Sequence, residues 1–588
     1  MRLFKLTFLC FFLYNFSLVY AQQNPAEILT TLNRMTASSV LLNNGNSAIP
    51  LKNLEELKIG SFFASPALHR MLNKYEVVPN LTPSAFSNDK DLKRVNTLVV
   101  EVNDTLLTNP HFIERLDQLS KTKQLIIAGF GSYACLAQLN NLKSPIIWNR
   151  DTSDYAKVIV AQIVFGGVAA EGKLPVSVSS NFDEGAGYTT VKTRLEYSIP
   201  EAVGIDGAKI TAEIDAVAKE MIEGRAAPGA VVMIVKDNHV IFEKAYGNHY
   251  YDVEQPVNTD DIFDLASISK IAATTLAVMK LDEDEKIDLN KTIGTYLKDA
   301  RNTNKANIKV RDVMLHQAGF VSFIPFYRDL SSEDFRTDSS AAYPVKVAEN
   351  YYLKKGYFEN VMWPLMLQSK VKPPGAYLYS DLSMYVMQKI VEAQSKKPLD
   401  EFVKQVFYDK LGMYSTGFNP RERFPAARIV PTELDKTFRK SQLIGYVHDQ
   451  GAAMAGGVAG HAGLFSTAND LAIYGQLLLN KGVYGGEAYL KPETVDKYTR
   501  RYSANSRRGL GFDRQDPDPA KEYPSKSAPP SVFGHTGYTG TAIWMDPDHQ
   551  LIYIFLSNRV QPFVSPYLSK LDIRSRIHDA IYKAIPKK

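Results

Sequence analysis

Between about residue 22 and residue 180, short apolar runs alternate with stretches in which apolar residues recur at helical spacing. The runs are Leu57–Phe63, Thr97–Val102, Leu125–Ala128 and Pro145–Trp148, with segments such as Phe112–Leu119 and Asp154–Phe165 between them. Strands that are apolar throughout are buried on both faces, and intervening helices supply the crossovers that parallel pairing requires. The pattern predicts an N-terminal parallel α/β sandwich over residues 22–180. Residues 181–200 have no strong period and contain Asp183-Glu184-Gly185-Ala186-Gly187, which reads as a linker. From 201 to 588 the style changes. Ile210, Ile214, Val217 and Met221 line one face of a helix, and Gly229–Lys236 with His239–Gly247 form a hairpin around Asp237-Asn238. A second hairpin, Thr541–Met545 with Leu551–Leu556, and a last helix from about Ser569 to Ile585 close the chain. The expected fold class is α/β followed by α+β, the second part an antiparallel sheet built from both of its ends with helices inserted between.

Composition narrows the function classes. The 588 residues are 45% hydrophobic and 22% charged, with a net charge of +5 and no block of Lys or Arg. A nucleic-acid partner is therefore not expected. Residues 1–21 read as an export signal: Arg2 and Lys5 precede the mostly apolar Leu6–Tyr20, and Val19-Tyr20-Ala21 offers cleavage before Gln22. Removing it, with Cys10, leaves Cys135 as the sole cysteine, so no intramolecular disulfide can form. Export without disulfides points to a bacterial periplasm, and no later segment approaches membrane-spanning length.

The chemistry enters at Asp264-Leu265-Ala266-Ser267-Ile268-Ser269-Lys270. Residues three apart share a helix face, so the Ser267 hydroxyl and the Lys270 amine can meet, and a lysine base activates a serine nucleophile. Ser120-x-x-Lys123 matches the same pattern but lies in a polar run that reads as a solvated helix end. Apolar residues flank Ser267 on both sides, so Lys270 is expected to be half-buried with a lowered pKa.

Further motifs follow in order. They are Leu315-His316-Gln317-Ala318-Gly319, then Pro374-Gly375-Ala376-Tyr377-Leu378-Tyr379-Ser380-Asp381, the glycine-rich Gly456–Thr467, and Gly534-His535-Thr536-Gly537. With Pro228-Gly229-Ala230 upstream, this series resembles the serine β-lactamase and penicillin-binding-protein superfamily in its class C-like branch, over residues 201–588. The resemblance implies that Ser267 is acylated and that Lys270 and Tyr379 share the proton transfers, the lysine charge lowering the tyrosine pKa. It implies an oxyanion hole from the backbone N–H groups of Ser267 and Tyr538. Asp381 stands where asparagine is usual, beside Lys270 or the substrate amide, and Thr536, Gly537 and His461 line the substrate cleft. His535 replaces a lysine found in many members. A mostly neutral histidine binds a carboxylate weakly, which argues against an efficient β-lactamase. No metal or other cofactor is implied, because His316, His448 and His461 lack ligand spacing.

Val40-Leu41-Leu42-Asn43-Asn44-Gly45 and Val164-Phe165-Gly166-Gly167 resemble the opening and closing segments of the C-terminal α/β domain of family 3 glycoside hydrolases. The barrel that carries that family's nucleophile has no counterpart here, so a packing or docking module is expected. The aromatic-rich insertion Phe323–Trp363 is read as a satellite core, or else as a lid over the cleft. The expected function is an exported serine hydrolase that forms an acyl-enzyme on an amide or ester, with cell-wall peptide or a small ester or amide as substrate. D-alanyl carboxypeptidase and N-acetylmuramoyl-alanine amidase chemistry lead. A broad esterase or weak β-lactamase comes second, and a non-catalytic wall-binding protein is the reading from another class.

Overall fold

The computed structural model describes residues 24–586 except position 89, so the expected export signal lies outside the described residues. After helix α1 (Pro25–Ser38), six strands form the first sheet: β1 (Val40–Leu42), β2 (Ile59–Phe62), β3 (Asn80–Leu81), β4 (Thr97–Asn103), β5 (Gln124–Phe130) and β6 (Ile146–Asn149). Their spatial order is β1-β6-β5-β4-β2-β3. The four strands expected from the sequence are consecutive and parallel, with Val99 opposite Ile126 and Ala128 opposite Ile147. Val40–Leu42 is an added edge strand that runs antiparallel to β6, so the sheet is mixed. Successive strand residues point to opposite faces. Val99, Ile126 and Ile147 therefore pack with α1, α2 (Pro66–Leu72) and α4 (Asp154–Phe165). Val100, Ile127 and Ile146 pack with Phe112, Leu116 and Leu119 of α3 (Pro110–Ser120) on the other side.

The stretch read as a linker is tied down. It carries β7 (Glu196–Tyr197), which pairs in parallel with a strand of the second sheet. Arg194 Nη1 donates to the carbonyls of Leu51 and Phe165 at 2.7 and 2.6 Å. Across the same junction Lys74 pairs with Glu243 at 2.6 Å and Asn469 donates to the Lys74 carbonyl. One apolar cluster runs through both sheets' helix layers.

Helix α5 (Gly207–Glu223) is capped by Asp206, whose side chain accepts from the Lys209 amide, and it buries Ile210, Ile214, Val217 and Met221. The hairpin β8 (Gly229–Lys236)–β9 (His239–Gly247) turns through Asp237 and Asn238, both at left-handed φ, as a two-residue turn between twisted strands requires. A short strand β10 (Phe263–Asp264) precedes the nucleophile turn, and the nucleophile helix ends in α6 (Leu276–Glu283). The 323–363 insertion builds a small sheet from β11 (Phe335–Arg336), β12 (Val345–Ala348) and β13 (Tyr351–Leu353). There Phe335 stacks on Tyr351 at 4.7 Å, and Phe326, Met362 and Trp363 are buried in the main core, so the insertion joins that core instead of forming the separate satellite core expected from the sequence.

Helix α7 (Asp381–Ser395), strand β14 (Phe465–Ser466) and helix α8 (Ala468–Leu479) follow. Four strands then complete the second sheet: β15 (Asp513–Arg514), β16 (Phe533–Thr536), β17 (Ala542–Asp546) and β18 (Leu551–Ser557). Its order is β15-β16-β17-β18-β8-β9-β7, joining the two ends of the segment through β18 against β8. Helix α9 (Ile573–Ala584) and α5 cover one face with Ile573, Ile577, Ile214 and Met221. Each such fully buried aliphatic side chain contributes about 2 kcal/mol of burial free energy. On the other face Met233, Ile552 and Ile554 meet α8 and the nucleophile helix.

Candidate active site

The turn that carries Ser267 is built under strain. Asp264 lies in β10, opposite Phe465 of β14, and Ala266 takes φ +46°, a left-handed conformation rare for alanine. The buried Asp264 carboxylate holds the turn by accepting from the Ala266 amide at 2.9 Å and the His448 amide at 2.7 Å. Thr539 and Thr541 hydroxyls donate to the carbonyls of Asp264 and Leu265, tying the β16–β17 turn to the same loop. Ser267 then stands in a tight turn that runs into a π-helical segment, Lys270–Thr275, and α6.

Two donors converge on the Ser267 hydroxyl. Lys270 Nζ lies 2.9 Å and Tyr379 OH 3.0 Å from Oγ. Lys270 is fully buried, and its ammonium also donates to the His461 carbonyl at 3.0 Å and pairs with Asp381 Oδ1 at 2.8 Å. Burial alone pushes the lysine pKa down, but the Asp381 carboxylate and Tyr379 outweigh it and hold it above the ordinary value. The expected lowering is thus reversed, because the distance of the carboxylate from the amine is set by tertiary packing. Burial likewise raises Tyr379, with Asp381 adding to it, and the Lys270 and Arg508 cations only partly compensate. The resting site therefore holds an ammonium and a phenol.

Tyr379 is fixed from behind. The Ser380 amide donates to His316 Nδ1 at 3.2 Å, the Leu378 amide to the His316 carbonyl, and the Ser380 hydroxyl to the Val321 carbonyl. The His316 ring lies 4.6 Å from the Tyr379 ring. Asp381 opens α7, where the helix N-terminus favours its negative charge. The backbone amides of Ser267 and Tyr538 have no acceptor among the described residues. Gly537 is forced by space: a Cβ there would sit 2.0 Å from Thr541 Oγ1 and 2.4 Å from the Leu265 carbonyl.

A family model described as Beta-lactamase matches residues 214–573. The chain belongs to the beta-lactamase family. It is a serine hydrolase. A protein of Salmonella agona (strain SL483) named "Putative D-alanyl-D-alanine carboxypeptidase" is 29% identical over 390 residues, covering 62% of this chain and 86% of that protein. Among solved structures, a "Beta-Lactamase/D-Alanine Carboxypeptidase from Pseudomonas syringae" is 18% identical with a TM-score of 0.48, covering 63% of this chain and 98% of that one. A penicillin-binding-protein homologue from Caulobacter crescentus is 17% identical with a TM-score of 0.47, covering 65% and 99%.

In this beta-lactamase-family site the remaining residues named from sequence enter differently. His461 contributes its carbonyl to Lys270, while its buried ring pairs with Asp449 Oδ1 at 2.9 Å and packs on Tyr385. His535 donates from Nδ1 to the Thr536 carbonyl at 2.7 Å. Burial, then the Arg508 charge, pushes it down to about 3, so it is neutral at every physiological pH. Thr536 is partly exposed at the end of β16. The Tyr538 side chain is 52% exposed and stacks on His448. Asp381, Asp449 and His461 bring ligand atoms within 4.8 Å of one another, a donor set of the type that holds cations. Within it, Asp381 is paired with the Lys270 ammonium and Asp449 with the His461 ring.

The second Ser-x-x-Lys copy is inert. Ser120 donates to the Asp117 carbonyl, and Lys123 Nζ caps the carbonyls of Leu92 and Val95. Sequence reasoning did not assign Asp449 or Arg508 to the site. Arg508 is buried beside Tyr379, with its guanidinium 5.3 Å from that ring. It follows Arg507 in a segment with no periodicity, and no spacing rule links it to a tyrosine more than a hundred residues earlier.

Proposed function

We propose that this serine hydrolase acts through an acyl-enzyme at Ser267 on a D-alanyl-type peptide amide of cell-wall material, after export to a bacterial periplasm. The reading rests on one observation, the convergence of Lys270 Nζ and Tyr379 OH on Ser267 Oγ at 2.9 and 3.0 Å. In the reactive state Tyr379 is a phenolate. It takes the Ser267 proton as Oγ bonds to the carbonyl carbon, and the carbonyl π electrons move to an oxygen held by the Ser267 and Tyr538 amides. The Tyr379 phenol then gives that proton to the leaving amine as the C–N bond breaks. Water enters by the same route and releases the acyl group. Lys270 stays an ammonium throughout, its charge stabilising the phenolate and passing through no proton step of its own.

The peptide substrate is supported by the name of the Salmonella relative, and export by the pattern of residues 1–21. The class C-like assignment rests on the order of the Ser267, Tyr379 and His535 motifs. Residues 22–180 are read as a module resembling the C-terminal domain of family 3 glycoside hydrolases, joined to the hydrolase segment through contacts of Arg194 and Lys74. A second reading, a broad esterase, is favoured by the neutral His535, which offers no fixed charge to a substrate carboxylate.

Labelling with a fluorescent fluorophosphonate and with a fluorescent penicillin, followed by peptide mapping, tests the mechanism. An adduct on Ser267 that Ser267→Ala abolishes is expected, and folded wild-type protein without any adduct refutes it. Release of D-alanine from a muropeptide, set against hydrolysis of a p-nitrophenyl ester, separates the two substrate readings.

A further inference from the structure

The proposed mechanism needs a phenolate at Tyr379, yet burial and the Asp381 carboxylate both oppose one. Lys270 alone stands against them from within the motif, with Nζ 5.0 Å from the ring centroid. The lysine common at position 535 in the superfamily is absent. A second cation is nevertheless present, and it comes from an element that carries no motif.

Arg508 is 2% exposed and its guanidinium carbon lies 5.3 Å from the Tyr379 ring centroid. Its Nε and Nη2 donate to Tyr377 OH at 3.3 and 3.1 Å, and Nε lies 3.6 Å from Asp513 Oδ1. Nη1 is buried with no partner among the described residues. Such a donor costs about 1–3 kcal/mol to leave unmade, so its place calls for a reason. The backbone holds it there: the amides of Tyr502 and Ser503 both donate to the Arg508 carbonyl. Gly511 (φ +84°) presses against the nucleophile helix so closely that a Cβ would lie 2.1 Å from Thr275 Oγ1. Asp513 does not neutralise Arg508 alone, because Arg507 takes both of its oxygens at 2.6 and 3.2 Å.

The other groups facing Tyr379 carry no positive charge that could substitute. Its hydroxyl meets Ser267. Its ring meets His316 at 4.6 Å and His535 at 6.1 Å, and both histidines are kept neutral, by burial first and the Arg508 charge next. Of the anions around it, Asp381 is paired with Lys270, Asp449 with His461 and Asp513 chiefly with Arg507.

We propose that Arg508 is a positioning residue that stabilises the phenolate form of Tyr379, supplying from the 500–511 loop the fixed cation that His535 no longer provides. This rests on the acyl-enzyme reading above. Arginine suits the task because its charge survives burial, whereas a lysine at this depth is prone to lose its proton. At a separation of 5–6 Å and an effective dielectric near 20, one charge shifts the ionisation of its neighbour by about two pH units.

The test measures kcat/KM against pH for the full chain and for Arg508→Met, Arg508→Lys and Tyr377→Phe. Two substrates are used, a p-nitrophenyl butyrate without a carboxylate and an acylated D-alanyl-D-alanine peptide with one. Arg508→Met is expected to lower kcat about ten- to one-hundredfold on both at any pH below the acid limb, and to move that limb upward by one to two pH units. Arg508→Lys, whose amine is prone to lose its proton at this depth, restores only part of the loss. Tyr377→Phe, which keeps the charge but releases the guanidinium, gives a smaller loss in the same direction and decides the matter if Arg508→Met does not fold. A loss confined to the D-alanyl peptide and carried by KM overturns the proposal, since it makes Arg508 a carboxylate anchor. An unmoved acid limb overturns it equally. Fluorophosphonate labelling of wild-type Ser267 in the same preparations keeps the two readings apart: with the adduct present, a failed pH shift counts against Arg508 alone, and without it both fall.

Discussion

Replacing Asp381 with asparagine isolates the charge that distinguishes this site from the asparagine-bearing pattern it otherwise follows. Asp381 Oδ1 and Lys270 Nζ are 2.8 Å apart, with the ammonium fully buried and the carboxylate side chain 26% exposed. Two unit charges at that separation attract by about 6 kcal/mol at an effective dielectric of 20. The asparagine carbonyl still accepts a charge-assisted hydrogen bond worth about 2 kcal/mol, and solvent screens part of the original attraction. A loss of about 3 kcal/mol remains, equivalent to about two pH units on Lys270. Its pKa then falls toward the lower side that burial favours, with Tyr379 alone left to oppose it. Urea unfolding reads the stability side. Wild-type Lys270 contributes stability that is complete below the unfolded-state lysine value and is lost as pH rises through the raised folded-state value. The gap between wild type and Asp381→Asn is therefore about 3 kcal/mol at pH 7 and closes as pH climbs past about 10. The activity side runs opposite to that expected for Arg508→Met. Without the Asp381 charge both Tyr379 and Lys270 release protons more readily, so the acid limb of kcat/KM moves to lower pH. A gap under 1 kcal/mol at pH 7, or an acid limb that moves upward while Ser267 still labels, would refute the assignment of Asp381 as the counter-charge.

Two further perturbations probe the frame around the site. Gly537→Ala drives a Cβ into Thr541 Oγ1 and the Leu265 carbonyl, so the β16–β17 turn must lift from the nucleophile loop. We expect at least a hundredfold loss in acylation rate and about 2–4 kcal/mol of stability by urea melt, and near-wild-type acylation would contradict the packing. Asp513 is raised by burial, but Arg508 and Arg507 more than reverse this and hold it at about 2. A depressed carboxylate contributes stability above its unfolded value and loses it as pH falls, so Asp513→Asn costs about 2 kcal/mol at pH 7 and progressively less between pH 4 and pH 2. Thermal melts across that range check it, and a pH-independent difference would point to packing instead.

Features that depend on neighbours within a few residues were legible along the chain. The apolar runs of β2, β4, β5 and β6, the 210–221 helix face and the Asp237-Asn238 turn are local regularities, and each forms where its pattern lies. The Ser267–Lys270 contact is of the same kind, since helix geometry alone brings i and i+3 together. That rule could not separate Ser267 from Ser120, and the ordered motifs at Tyr379 and His535 did. The state of the site was decided only by tertiary structure. Lys270 is an ammonium because Asp381 and Tyr379 arrive from a segment more than a hundred residues away. Tyr379 faces an arginine from a loop without pattern. Residues 181–200 looked like a tether because the hydrogen bonds that tie them down go to Leu51, Phe165 and β9, which are distant in sequence. Hydrophobic periodicity records which side of an element is buried. Ionisation depends on the inverse distance between charges and on how much water is excluded around them, and both are fixed only when remote segments pack.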